Sequence, residues 1–227
     1  MIKQTVFVTI GEAPRTDLQK TFDRYFKGEE RVRQDGLLNG LSKEEAEHCL
    51  GADGSSSATL TSRFVTGEAI VMDAAKVERA LQHKITFLEK NGADLIVILC
   101  TGTFEQLKTE NARLVEAEKI TVPFVKEKSG NRKIGVMVPL EEQMEETAAK
   151  WVLGDQGAFA FASPYAFTEQ GFQTAAKKLA ATGSETIVLD CMGYSDEMKR
   201  FVEQATKGPE VIQSNEVLFQ YVTQLLG

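Results

Sequence analysis

The chain has 227 residues, 42% hydrophobic, 26% charged and 8% aromatic, enough for one large or two small α/β domains with a sizeable core. Its formal net charge of −7 argues against phosphate backbones and anionic lipid as partners, so neither nucleic acid nor membrane is expected. The start MIKQTVFVTI lacks a signal peptide's apolar region, no apolar run is long enough to span a bilayer, and three cysteines without close pairing argue against a disulfide framework; a cytoplasmic protein is the expectation.

In chain order, Thr5–Ile10 (TVFVTI) reads as a first strand ending in the loop Gly11-Glu12-Ala13-Pro14-Arg15. Thr16-x-x-Gln19 has the form of a capping box opening a helix with Phe22, Tyr25 and Phe26 on its apolar side. Arg31 to about Asn39 reads as a second strand and turn, and Ser42-x-x-Glu45 as a capping box for a short helix Ser42–Leu50, on which Cys49 is expected to be core. Gly51–Ser57 is a loop, Thr59–Val71 alternates like a hairpin around Gly67, and Asp73 caps a long helix stopped by Gly92.

Beyond the first cysteine strand, Val122–Val125 is expected to be a short strand and Lys126–Arg132 a linker. Lys133–Val138 starts a second half as TVFVTI starts the first, followed by a helix from about Leu140 to Trp151 and a strand Ala158–Ala162. Thr168 caps a helix to about Ala181, Ser195 caps another, and Val211–Ser214 with Asn215–Leu226 form a last strand and helix. Strands alternating with helices imply parallel sheets built from right-handed crossovers, here in two halves, or lobes. The expected boundaries are 1–125 with about 215–227 for the first lobe, carrying an insertion at about 31–71, and 126–214 for the second.

An internal repeat singles out two thiols. Leu88–Phe104 aligns with Leu179–Ser195 at a constant offset of 91, pairing Gly92 with Gly183, Cys100 with Cys191 and Gly102 with Gly193. Each copy reads as helix end, glycine stop, buried strand, cysteine, glycine turn and next helix. Ligands of open parallel sheets bind beyond the carboxyl ends of the strands, where both thiols fall. Two thiols flanking one carbon are a proton-transfer pair. Carboxylates Asp190, Asp196 and Glu197 beside Cys191 favour its protonated form, so Cys100 is read as base and Cys191 as acid.

Proton abstraction beside a carboxylate also needs donors for the developing oxygen charge. Candidates are Thr101, Thr103, Ser163, Tyr165 and the N–H groups of Gly102 and Gly193. Gly11, Pro14 and Arg15 form a further loop at the same edge, where Arg15 could clamp the substrate carboxylate, against the bland alternative of a solvated surface arginine. Tyr194 is placed at the substrate as well. His48 and His83 lack metal-ligand spacing, and neither a dinucleotide nor a triphosphate fingerprint occurs, so no cofactor or metal is expected.

The motifs Thr9-Ile10-Gly11-x-x-Pro14-Arg15, Leu37-Leu38-Asn39-Gly40-Leu41-Ser42, Lys76-Val77-Glu78, Gly135-Val136-Met137-Val138-Pro139 and Leu189-Asp190-Cys191-Met192-Gly193 resemble the AroM family across nearly the whole chain. More distantly the chain is similar to the Asp/Glu/hydantoin racemase superfamily. That resemblance implies two similar Rossmann-like lobes with the active site between them, and cofactor-independent racemisation by Cys100 and Cys191. It also leaves a homodimer open by analogy. The flanks differ from the racemase pattern, with Cys100-Thr101-Gly102-Thr103 in place of Cys-Asn-Thr and Asp190-Cys191-Met192 in place of Gly-Cys-Thr.

The expectation is therefore a two-cysteine racemase, isomerase or related carbon-acid enzyme acting on a small carboxylate. The alternative from another class is a non-catalytic binding or sensor protein for a carboxylated metabolite in the same cleft, with the shikimate route as a candidate source.

Overall fold

The structure, a computed structural model, describes residues 2–227 and is α/β, with two compact units of residues 2–118 plus 223–227 and of residues 119–222. In the first unit, β1 (Thr5–Thr9), α1 (Gln19–Phe26), β2 (Val32–Gly36), α2 (Lys43–Leu50), the hairpin β3 (Thr59–Arg63) and β4 (Ala69–Asp73), α3 (Ala74–Lys90), β5 (Leu95–Leu99) and β6 (Arg113–Glu116) follow in order. Its main sheet is parallel with the order β2-β1-β5-β6. Every residue of β1 and β5 is buried, as unbroken apolar runs covered on both faces should be.

One face of that sheet, through Val6, Val8, Ile96 and Ile98, packs with α2, α3 and the hairpin. The helix α3 shows why its sequence is helical. Asp73 accepts the N–H of Lys76 as N-cap, and Val77, Leu81, Ile85 and Leu88 form a fully buried i, i+4, i+8, i+11 stripe. Each such side chain contributes about 1.5–3 kcal/mol by burial. Gly92 then leaves the helix at φ 89°, a left-handed conformation that suits glycine. On the opposite face Phe7 meets Phe22 and Phe26 at ring-centroid distances of 5.1 and 5.0 Å.

The chain continues with α4 (Ala117–Ser129), β7 (Ile134–Val138), a 3₁₀ turn Glu141–Gln143, α5 (Met144–Trp151), β8 (Gly157–Phe161), α6 (Glu169–Ala181), β9 (Thr186–Leu189), α7 (Asp196–Thr206), β10 (Glu210–Gln213) and α8 (Ser214–Leu226). The second sheet is parallel with the order β8-β7-β9-β10. It repeats the first, with β7 standing for β1, β8 for β2, β9 for β5 and β10 for β6. In both units the last strand runs directly into a helix. Only the first unit carries α2 and the β3–β4 hairpin.

Several expectations hold: Ser42 and Glu45 form a reciprocal capping box, and Thr168 and Ser195 cap their helices. Others do not. Thr16 gives no side-chain cap; α1 starts after Leu18 with none. Val122–Val125 lies within α4, whose buried Thr121, Val125 and Ser129 recur every four residues, and the edge-strand place is already taken by β6. Lys126–Ser129, expected as part of a linker, is the last turn of α4. Cys49 is exposed rather than core, because Ala46 and Leu50 supply the buried side of α2.

The repeat also breaks where it was expected to continue. A helix follows Cys191, but residues 101–112 after Cys100 are irregular up to β6. Side chains of α3 satisfy the backbone there in place of a helical ladder. Glu78 accepts from Gln106 N, Gln82 Oε1 accepts from Lys108 N and its Nε2 donates to Lys108 O, and Glu89 accepts from the N–H groups of Glu110, Asn111 and Ala112.

Candidate functional site

In the first unit, β1 and β5 are neighbours in register Thr9↔Leu99, so the Gly11 loop and Cys100 leave the sheet side by side at its carboxyl edge. Cys100 is half-buried, and its Sγ receives the N–H of Gly102 at 3.4 Å. Thr101 and Gly102 are half-buried and Thr103 is exposed. Because no helix starts here, the thiolate support expected from a helix N-terminus is absent at Cys100, and the turn's own N–H serves instead.

The Gly11 loop is held by several elements. Gly11 N donates to Thr9 Oγ1 at 3.1 Å, Ala13 N to Asn39 Oδ1 at 2.8 Å and Arg15 N to Gln34 Oε1 at 2.9 Å. A Cβ on Gly11 would stand 2.3 Å from Ser62 Oγ and 2.6 Å from Arg63 O, so the hairpin needs glycine there. Pro14 is exposed. Arg15 is not a surface arginine: it is 3% exposed, and its guanidinium forks onto Asp17, with Nε–Oδ1 2.8 Å and NH2–Oδ2 2.7 Å. Its NH1 donates to Thr9 Oγ1 at 3.3 Å. The carboxylate this fork holds here is that of Asp17.

In the second unit the registers Met137↔Leu189 and Val138↔Phe161 bring the Ser163-Pro164-Tyr165 loop and Cys191 to one carboxyl edge. Cys191 is 8% exposed. Its Sγ receives the N–H of Gly193 at 3.4 Å and lies 3.4 Å from the Tyr165 hydroxyl. Ser163 Oγ accepts from Tyr165 N at 3.3 Å. A Cβ on Gly193 would come within 3.0–3.1 Å of the Tyr165 hydroxyl and ring, so glycine lets that side chain lie against the turn. Both turn N–H groups, of Gly102 and Gly193, thus point at their own cysteine sulfur rather than outward to a substrate oxygen.

Tyr194 corrects another expectation. It is fully buried, donates its hydroxyl to Ala162 O at 2.9 Å and packs edge-on against Phe172, so it is part of the core beneath the thiol turn. Burial, with the nearby negative forms of Cys191, Asp190 and Tyr165, raises its pKa well above the ordinary tyrosine value.

Asp190, read in the sequence as a charge beside the thiol, has partners of its own at this strand end. Neighbouring residues at a strand end alternate sides. Cys191 packs in the α6 and α7 core, while Asp190, 4% exposed, meets Lys150 Nζ at 2.5 Å and accepts from Trp151 Nε1 at 2.8 Å and from Ser214 Oγ at 3.5 Å. The lysine offsets the carboxylate charge.

Two residues not singled out in the sequence fix the thiol turn. Gln213 Nε2 donates to Tyr194 O at 2.9 Å, and Asn215 Nδ2 donates to Met192 O at 3.0 Å and Tyr194 O at 2.8 Å. Both are essentially fully buried. Their signal in the sequence is the polar run Gln213-Ser214-Asn215 following the apolar Val211-Ile212. Among the described residues, no group of three or more His, Cys, Asp or Glu could hold a metal ion, and no helix is long and apolar enough to cross a membrane.

Comparison with solved structures finds the same fold in proteins of low sequence similarity. A glutamate racemase from Bacillus anthracis is 13% identical at TM-score 0.63, with 99% of this chain and 81% of that one covered. An allantoin racemase from Pseudomonas fluorescens is 13% identical at TM-score 0.63, covering 98% and 90%. An arylmalonate decarboxylase without ligand is 13% identical at TM-score 0.57, covering 99% and 93%. No curated protein matches the sequence. The family model described as AroM protein matches residues 6–226. Nearly the whole chain is spanned by that match, and the protein belongs to the AroM family.

Proposed function

We propose that this protein is a cofactor-independent racemase- or isomerase-like enzyme that uses Cys100 and Cys191 for proton transfer at a carbon next to a carboxylate of a small metabolite. The observation that carries this reading is the matched setting of the two thiols. Each sits at the carboxyl end of the equivalent strand of its sheet and receives the N–H of the glycine two residues on at 3.4 Å. Solved structures of the same fold include glutamate and allantoin racemases, which agrees with chemistry at such a carbon, and an arylmalonate decarboxylase.

In this reading one thiolate removes the proton, breaking the C–H bond, and the electron pair spreads into the adjoining carboxylate. The other thiol gives its proton to the opposite face of the carbon. The enzyme is left with the protonation states of its two thiols exchanged, and no oxidant or reductant is consumed. Hydroxyls of Thr101 and Ser163 are the proposed donors to the developing oxygen charge. Reacting groups about 3–3.5 Å from one carbon on opposite faces require the two sulfurs to stand roughly 6–8 Å apart with substrate bound.

The test is a screen of small carboxylic acids bearing a hydrogen on the α-carbon, incubated with the protein in deuterated water and read by NMR. Exchange that disappears in both Cys100→Ser and Cys191→Ser supports the reading. Binding without exchange points instead to a sensor of carboxylated metabolites.

A further inference from the structure

The sulfur of Cys191 has a neighbour that the two-thiol scheme does not use as an acid–base partner. The Tyr165 hydroxyl lies 3.4 Å from it, and Gly193 N is at the same distance. Between a neutral thiol and a phenol either group can donate; once the sulfur is a thiolate, only the phenol can. Donation to the charged form favours that form.

We infer that Tyr165 is a catalytic residue that hydrogen-bonds the Cys191 sulfur and makes Cys191, not Cys100, the thiol held as the resting base. The catalytic meaning of this inference rests on the two-thiol reading, but the hydrogen bond and its effect on the thiol do not.

Four features agree with it. Gly193 lacks a Cβ where one would come within 3.0–3.1 Å of the Tyr165 hydroxyl and ring, so the tyrosine can reach the sulfur. The turn that carries the sulfur is fixed from behind by Asn215 and Gln213, which bind the carbonyls of Met192 and Tyr194 and leave Gly193 N facing Sγ. The negative charge just past the end of β9 and next to the thiol, Asp190, is compensated by Lys150 of α5. The other tyrosine of the turn, Tyr194, is committed to Ala162 O and stays a neutral phenol. Against the thiolate stand the burial of Cys191 and the carboxylates Asp196 and Glu197 in the first turn of α7, of which Glu197 is exposed to water. In its favour stand two donors on the sulfur itself, the Tyr165 hydroxyl and Gly193 N, each at 3.4 Å.

The roles follow in balanced form. The Cys191 thiolate takes the substrate proton and becomes a thiol, Tyr165 keeps its own proton throughout, and Cys100 gives a proton to the other face.

The experiment is the pH dependence of alkylation by iodoacetamide, with the peptides holding Cys49, Cys100 and Cys191 quantified separately by mass spectrometry. Tyr165→Phe removes only the hydroxyl. The expected result is an alkylation midpoint for Cys191 shifted upward, with the rate at pH 7 lowered about tenfold, while Cys49 and Cys100 keep their profiles. Tyr165→Leu, as a second variant, should move Cys191 in the same direction. A Cys191 profile unchanged or shifted downward in Tyr165→Phe overturns the inference. Because the readout needs no substrate, an upward shift in a protein that exchanges no carbon acid would keep this inference and reject the two-thiol reading. An unchanged profile in a protein that needs both thiols for exchange would do the reverse.

Discussion

Lys150 and Asp190 form an ion pair sealed from water: Nζ lies 2.5 Å from Oδ2, and the side chains keep 8% and 2% of their surface exposed. Trp151 Nε1 donates to the same oxygen at 2.8 Å. The pair sits one residue from Cys191, so it fixes the end of β9 from the side opposite to the thiol.

Removing one partner of a buried pair leaves the other charge without compensation and costs about 3–5 kcal/mol. Lys150→Met should therefore lower the stability measured by urea unfolding by about that amount. The double variant Lys150→Met with Asp190→Asn should recover part of the loss. A loss in Lys150→Met no greater than that of a surface lysine would show that the pair does not hold this strand end.

Asn215 predicts a different signature. Its Nδ2 serves two buried carbonyls, and Asn215→Ala leaves them with fewer donors at about 1–3 kcal/mol. Because those carbonyls belong to the thiol turn, the reactivity of Cys191 toward iodoacetamide should change while that of Cys100 stays the same. Equal reactivity of Cys191 in both proteins would limit Asn215 to a role in stability.

Glu89 gives a pH dependence with a definite sign. The N–H groups of Glu110, Ala112 and Asn111 hold its carboxyl below the usual glutamate range. A depressed folded-state pKa means stabilisation that is present above the unfolded value near 4.3 and is lost as pH falls through the folded one. Glu89→Gln should thus melt lower than the unmodified protein at pH 7, with the gap narrowing below about pH 4. A gap that stays constant down to pH 2 would mean that charge at residue 89 plays no part in anchoring the segment from Cys100 to β6.

Much of the architecture was legible because the repeat is carried by buried strands and glycine stops, which depend on local sequence. Leu95–Leu99 and Thr186–Leu189 are apolar runs with Gly92 and Gly183 at positive φ before them. The thiols at their ends followed from that pattern. What was not legible depends on partners distant in sequence. The loop after Cys100 takes its backbone partners from Glu78, Gln82 and Glu89 on α3, and nothing in Thr101–Lys108 alone announces that. The strand β6 is four residues with an arginine and a glutamate at its ends, too short and polar to stand out. Asp190 reads in the sequence as a charge beside a thiol, and only the fold brings Lys150 to offset it. Tyr165 and Cys191 are 26 residues apart, and their contact depends on the adjacency of β7 to both β8 and β9.

The most direct test of the central claim is deuterium incorporation at the α-carbon of small carboxylic acids, compared among the unmodified protein, Cys100→Ser and Cys191→Ser. The account predicts enzyme-dependent exchange of at least one acid, falling by about 10²–10⁴-fold in each serine variant. Exchange that persists at the unmodified rate when either thiol is replaced would contradict it.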